Sequence, residues 1–250
     1  VTQHPSRFVG FFMLDPTRDD AIAYATRALD AGLRTICLFP AMHRYALHDD
    51  RVVRVFELAE SYAAPAPTGE APAHRSLGEG GSPTSAEGAS LTPSVGGRPS
   101  VFVHCGVLSV GIRKKLGLPS PFDIRFGNPI DLHGVALRFP GVPIVIPHFG
   151  AGLLREALMV ASLCSNVLLD TSSSNSWIAQ TPGLTLPQVF RTALDVLGPE
   201  RLLFGTDSSF FPRGWNREVY LQQKAALDGL GVPAVDQERI FAGNFSRLFH

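Results

Sequence analysis

Three short apolar runs each stop on a side chain that can hold a metal ion: residues 101–104 (Val-Phe-Val-His), 144–148 (Ile-Val-Ile-Pro-His) and 202–207 (Leu-Leu-Phe-Gly-Thr-Asp). Side chains alternate along a strand. His104 therefore shares a face with Phe102, His148 with Ile146 and Ile144, and Asp207 with Gly205 and Leu203. Each reads as a polar tip on a buried apolar row. Neutral imidazoles and carboxylates are the donors that zinc, iron or manganese takes at a catalytic site, with one position left open for water or substrate. Taken alone, a histidine at a strand end is more often a hydrogen-bonded core residue. Three such tips at matched strand ends favour a metal site, with His104 and Asp207 as ligands.

The other polar residues carry weaker cases. Asp170 also ends an apolar run, but a carboxylate there more often caps its loop. Cys105 follows His104 and must point to the opposite face, as a packed thiol. His43, His48 and His133 lack ligand spacing and read as surface residues, although His43 follows a strand closely enough to touch substrate. His4, His74 and His250 carry no role. Arg113, Lys114 and Lys115 could meet a substrate carboxylate, but solvated loop charge is the commoner explanation. Ser172 to Asn175 and Trp177 either line a pocket or form an ordinary serine-rich loop. There is no G-x-S-x-G elbow, no G-x-x-x-x-G-K-[ST] loop and no G-x-G-x-x-G after a strand, so serine catalysis and nucleotide binding fall behind.

The tips must be positioned by strands. Strands are expected at 8–14, 35–39, 100–104, 142–148, 166–170 and 201–204. Helices are expected at 19–31, 49–62, 129–139, 150–163 and 186–197. Gly32 suits a left-handed stop after the first helix, and Asn244 suits the cap of a last short helix through Leu248. Strands separated by helices need crossovers, so the sheet should be parallel and all three tips should lie at its carboxyl edge, where such folds place their chemistry. Residues 63–99 interrupt the alternation with glycine, proline, serine and alanine and few large apolar side chains. They read as a flexible insertion in a single domain spanning 1–250, with a lid as the rival reading.

A chain of 250 residues, 45% of them hydrophobic, can bury a large core. Its 22 basic and 22 acidic side chains leave no electrostatic footprint for nucleic acid or an anionic membrane. A small-molecule substrate is the expected partner, and a homo-oligomer is left open. Cys37, Cys105 and Cys164 lack C-x-x-C spacing, which argues against disulfides and thiolate zinc and fits a reducing cytoplasm. No run approaches the roughly 18 apolar residues of a membrane span.

Six strands are two short of a closed eight-stranded barrel, and the alternative is an open doubly wound sheet. Here the motifs matter as a set: residues 14–16 (Leu-Asp-Pro), 103–106 (Val-His-Cys-Gly), 147–150 (Pro-His-Phe-Gly), 166–170 (Asn-Val-Leu-Leu-Asp), 201–207 and 243–249 (Gly-Asn-Phe-Ser-Arg-Leu-Phe). With them the chain resembles the amidohydrolase-related branch of the amidohydrolase superfamily, which includes aminocarboxymuconate semialdehyde decarboxylase. The resemblance implies a metal-dependent (β/α)8 TIM-barrel-like α/β fold, with the expectation that the N-terminal first strand or strands are lacking. It implies that His104 after the fifth strand is a ligand, that His148 after the sixth either contacts the metal region or polarises substrate and water, and that Asp207 after the eighth is a ligand and often the general base. The family's H-x-H pair on the first strand has no match, and the expectation is that this strand lies upstream of Val1. The fourth-strand stretch, residues 35–40, has no lysine to bridge two metals, which favours a single divalent ion: zinc first, manganese or iron as alternatives. The expected function is metal-dependent hydrolysis or decarboxylation of a small carboxylated or cyclic substrate. The rival reading is a non-catalytic barrel remnant that binds a ligand or partner.

Overall fold

The computed structural model describes residues 7–62, 97–173, 176–208 and 214–249. The expected insertion therefore lies outside the described residues except for positions 97–99, as do His4, His74, His250, Ser174 and Asn175.

In chain order the elements are β1 (Phe11–Leu14), α1 (Ala21–Asp30), β2 (Thr35–Leu38), α2 (Pro40–His43), α3 (Asp50–Ser61), β3 (Ser100–Val103), α4 (Gly111–Lys115), α5 (His133–Arg138), β4 (Ile144–Ile146), α6 (Leu154–Leu163), β5 (Val167–Asp170), α7 (Leu186–Leu197), β6 (Leu202–Leu203), α8 (Arg217–Gly229), α9 (Ala234–Glu238) and α10 (Asn244–Phe249). The six strands form one sheet in the order β1-β2-β3-β4-β5-β6, and every neighbouring pair is parallel. Sequential order is that of a barrel wall; a doubly wound sheet would reverse direction at a switch point. Among the described residues β1 and β6 do not pair, so the wall is a six-stranded arc.

The sheet faces divide the core in two. Ile36, Val101, Ile144, Val167 and Leu169 point outward and are buried beneath the helices. Val145, Leu168 and Leu203 point to the concave side, where Leu248 of α10 covers them, with Phe102, Phe245 and Phe249 packed around. Phe249 also meets Phe11 of β1, with ring centroids 5.3 Å apart. The last helix thus links the two ends of the arc across its concave face. Phe11 and Met13, on that face at the β1 end, stay 41% and 49% exposed.

Two expectations need correction. Asn244 does not cap a new helix: its backbone is helical, α9 continues into α10 through a π-helical turn at Arg239–Gly243, and its side chain donates to the Pro199 and Leu202 carbonyls at 2.7 and 2.8 Å. The chain also holds a 13-residue helix, α8, that the hydrophobic pattern had not suggested. No helix among the described residues is long and apolar enough to cross a membrane.

Candidate active site

At the carboxyl edge of the sheet lies a cavity of about 630 Å³. His104, His148, Asp170 and Asp207 all line it. Its lining contains no lysine or arginine among the described residues. The carboxylates of Asp170 and Asp207 thus face the same cleft as the two imidazoles.

The four groups arrive by different routes. His104 follows β3 in phase with Phe102, which also lines the cavity, and the alternation rule holds. Its amide donates to the Leu38 carbonyl at 2.9 Å, which continues the ladder one residue beyond the strand. His148 breaks the rule. Ile144 and Ile146 face outward into the helix-covered core, so strict alternation would aim His148 away from the cavity. The strand instead ends at Ile146, Pro147 follows, and His148 takes φ +58, which turns its ring to the concave side. Asp207 lies four residues past the end of β6, exposed, at φ +50. Non-glycine residues rarely adopt positive φ. Of the six that do so among the described residues, four line this cavity: His148, Ala151, Ser173 and Asp207. Each such residue costs about 1 kcal/mol or more, and clusters of them mark functional sites.

His104 is 5% exposed and stacks on Phe39, ring centroids 5.6 Å apart. The His104 and His148 rings meet edge to face at 5.1 Å. Burial first, and the neighbouring His148 second, push the His104 pKa down to about 3. The ring is therefore neutral at physiological pH, the form that can ligate a metal. Its Nδ1 is buried without a hydrogen-bond partner.

Asp170 behaves as a loop cap. Its Oδ1 accepts the Ser172 amide at 2.7 Å and the His148 amide at 3.4 Å, tying two loops together. Ser172, Ser173 and Trp177 line the cavity as well. Ser172 Oγ lies 2.8 Å from His148 Nδ1. The loop is anchored from below: Thr171 Oγ1 donates to Gln223 Oε1 at 2.7 Å, and Gln223 Nε2 donates back to the Thr171 carbonyl at 2.5 Å. Sequence reasoning missed this anchor. Its signal was a glutamine on the buried stripe of α8, among Val219, Ala226 and Leu227 at helical spacing.

Other candidates fall away from the cavity. Arg113 spends Nε and Nη2 on the Pro119 carbonyl at 3.1 and 3.0 Å. Lys115 and His48 are exposed. His43 is partly buried, stacks on Tyr45 and does not line the cavity, so neither the surface role nor substrate contact describes it. Cys105 is fully buried in the core, as its parity required.

The donors present suit a divalent cation in kind: a neutral imidazole with an unpaired buried nitrogen, a second imidazole beside it, and two carboxylates facing the same cavity. In number they fall short. Among the described residues no three His, Cys, Asp or Glu side chains stand close enough together to hold an ion.

A parallel (β/α) arc with imidazoles and carboxylates at its carboxyl edge places its polar groups where TIM-barrel enzymes carry their chemistry. The sequence model of the amidohydrolase family matches residues 1–250, and the chain belongs to that family. No curated protein matches it. Among solved structures, it is similar to an uncharacterised TIM-barrel protein from Bordetella bronchiseptica, with 19% identity over 99% of this chain and 68% of that one and a TM-score of 0.61. It is similar to 5-carboxyvanillate decarboxylase from Sphingomonas paucimobilis, with 17% identity over 100% and 68% and a TM-score of 0.57. It is also similar to an amidohydrolase from Burkholderia multivorans with bound Zn, with 15% identity over 96% and 72% and a TM-score of 0.53. These likenesses establish the fold as that of a TIM barrel, of which the described residues form six strands.

Proposed function

We propose that the chain is a metal-dependent hydrolase or decarboxylase acting on a small carboxylated or cyclic substrate. The observation that carries this reading is the convergence of His104, His148 and Asp207 on one cavity from three separate strands. Family membership supports it, as do a decarboxylase and a zinc-containing amidohydrolase among the similar structures.

His104 and Asp207 would hold one divalent ion, zinc first and manganese or iron after it, which would supply Lewis acidity toward a water or substrate oxygen. The chain's own residues do the rest. Asp207 takes up the proton released by the attacking water. His148 donates a hydrogen bond to the substrate oxygen on which negative charge develops, in hydrolysis or in decarboxylation alike. Phe39, Phe102 and Trp177 supply apolar walls suited to a flat ring.

Metal analysis of the purified protein tests the reading. One equivalent of Zn, Mn or Fe is expected, and added metal at 100 times its Kd should stabilise the fold by about 2.7 kcal/mol, seen as a higher Tm. Asp207→Asn should then abolish CO2 release or hydrolysis across a panel of aromatic carboxylic acids while leaving circular dichroism unchanged. Full activity in that variant would remove Asp207 from the mechanism.

A second reading has one observation in its favour: among the described residues no three donor side chains stand close enough together to hold an ion. On that reading the chain binds a ligand or partner without turnover. Absence of stoichiometric metal together with an unmoved Tm would support it.

A further inference from the structure

We infer that Ser172 is a positioning residue that holds His148 as the tautomer with its proton on Nε2, so that the ring offers a donor to the cavity. The inference rests on the catalytic reading of His148 above and adds what sets its protonation geometry.

Ser172 is 5% exposed, and its Oγ lies 2.8 Å from His148 Nδ1. A serine hydroxyl carries one proton to give and lone pairs to receive. Among the described residues Oγ has no other recorded partner. If Nδ1–H donated to Oγ, the hydroxyl proton would find no protein acceptor among the described residues. Leaving a buried donor unmade is costlier than leaving a lone pair unfilled. The hydroxyl therefore donates to Nδ1, Nδ1 is the bare nitrogen, and a neutral ring keeps its proton on Nε2.

The contact is held from three sides. Asp170 Oδ1 takes the amides of both Ser172 and His148, which fixes the two backbones relative to each other. Gln223, fully buried on α8, clamps Thr171, the residue before Ser172. The positive φ of His148 brings its ring to meet the hydroxyl. This is the arrangement by which a neighbour that occupies one ring nitrogen decides what the other can do.

The test is ¹⁵N NMR of protein labelled at histidine, at a pH where the ring is neutral, with the His148 signals assigned through His148→Gln. Wild type should show a protonated Nε2 and a bare Nδ1. Ser172→Ala should give a mixture of tautomers, and Ser172→Thr, which keeps the hydroxyl, should restore the single form. A protonated Nδ1 in wild type, or an unchanged tautomer in Ser172→Ala, would overturn the inference. Where turnover is measured, Ser172→Ala should lower kcat by about 10- to 100-fold with KM nearly unchanged. A wild type without turnover would count against the catalytic reading alone, because the tautomer result is read without it.

Discussion

Gly106 lies two residues past His104, at φ +75, and packs against the loop that carries His148. A Cβ at this position would collide with the carbonyl oxygens of Gly150 and Ala151. Its amide donates to the Gly127 carbonyl at 2.8 Å, and the Val107 amide donates to that of Ala151 at 2.9 Å. The two histidine loops are thus interlocked by backbone, which leaves no side-chain freedom to absorb a methyl group. Gly106→Ala should destabilise the protein by about 2–4 kcal/mol, combining left-handed strain with overpacking. Urea unfolding would measure it. A variant within 0.5 kcal/mol of wild type, on the order of an ordinary surface change, would show that the loops are looser than described. At the same scale, the placement of His104 at the cavity was legible because strand alternation sufficed, whereas Asp207 reaches it from a turn four residues past β6 that alternation does not describe. His148 was singled out for the wrong geometric reason, since its approach depends on a backbone turn that no side-chain pattern encodes.

Helix ends and strand ends are held by side chains that replace missing backbone partners. Asn166 Nδ2 donates to three carbonyls, Ala136 and Phe139 of the α5 end and Val142 before β4, at 3.0 to 3.3 Å. Arg201 Nη1 donates to the Ala161 and Cys164 carbonyls at the end of α6, at 2.7 and 3.1 Å. Asp49 caps α3 by accepting the Arg51 amide at 2.9 Å. The Arg51 guanidinium and that amide hold its carboxyl down to about 2, from 3.8. A carboxyl depressed in the fold contributes stability that is present above its unfolded pKa and lost as pH falls through the folded one. Asp49→Ala should therefore cost about 1 kcal/mol at pH 7, and the gap to wild type should narrow between pH 3.8 and 2. Thermal melts across that range would check it, and a gap independent of pH would place the effect outside the carboxylate. Five of the main helices were expected near their observed positions, because amphipathic spacing and flanking turn residues mark them. The helix α8 was not, because Gln223 interrupts its apolar stripe for the sake of Thr171.

Across the whole molecule, the concave face of the arc is closed from one end by α10. Leu248 is 6% exposed and packs on Val145, Leu168 and Leu203, the layer beneath the cavity. Leu248→Ala should cost about 3 kcal/mol, within the range for large-to-small core changes. It should also loosen the floor on which Phe102 stands, since the two belong to one cluster. Guanidinium unfolding would give the first number. A loss below about 1 kcal/mol, less than such core truncations usually produce, would mean that α10 rests on the face without supporting it.

Local properties were enough to read the parallel alternation of strands and helices, the six strands, the family and the types of the three polar residues, because periodicity, turn residues and residue type do not depend on distant contacts. The path of the folded backbone was needed to see that the arc is singly wound, that His148 reaches the cavity through a left-handed turn, and that Ser172 and Gln223 stand behind it. Those contacts join residues 24 and 52 positions apart in the chain. Their partners are chosen by the path of the backbone in space, which no local pattern reports.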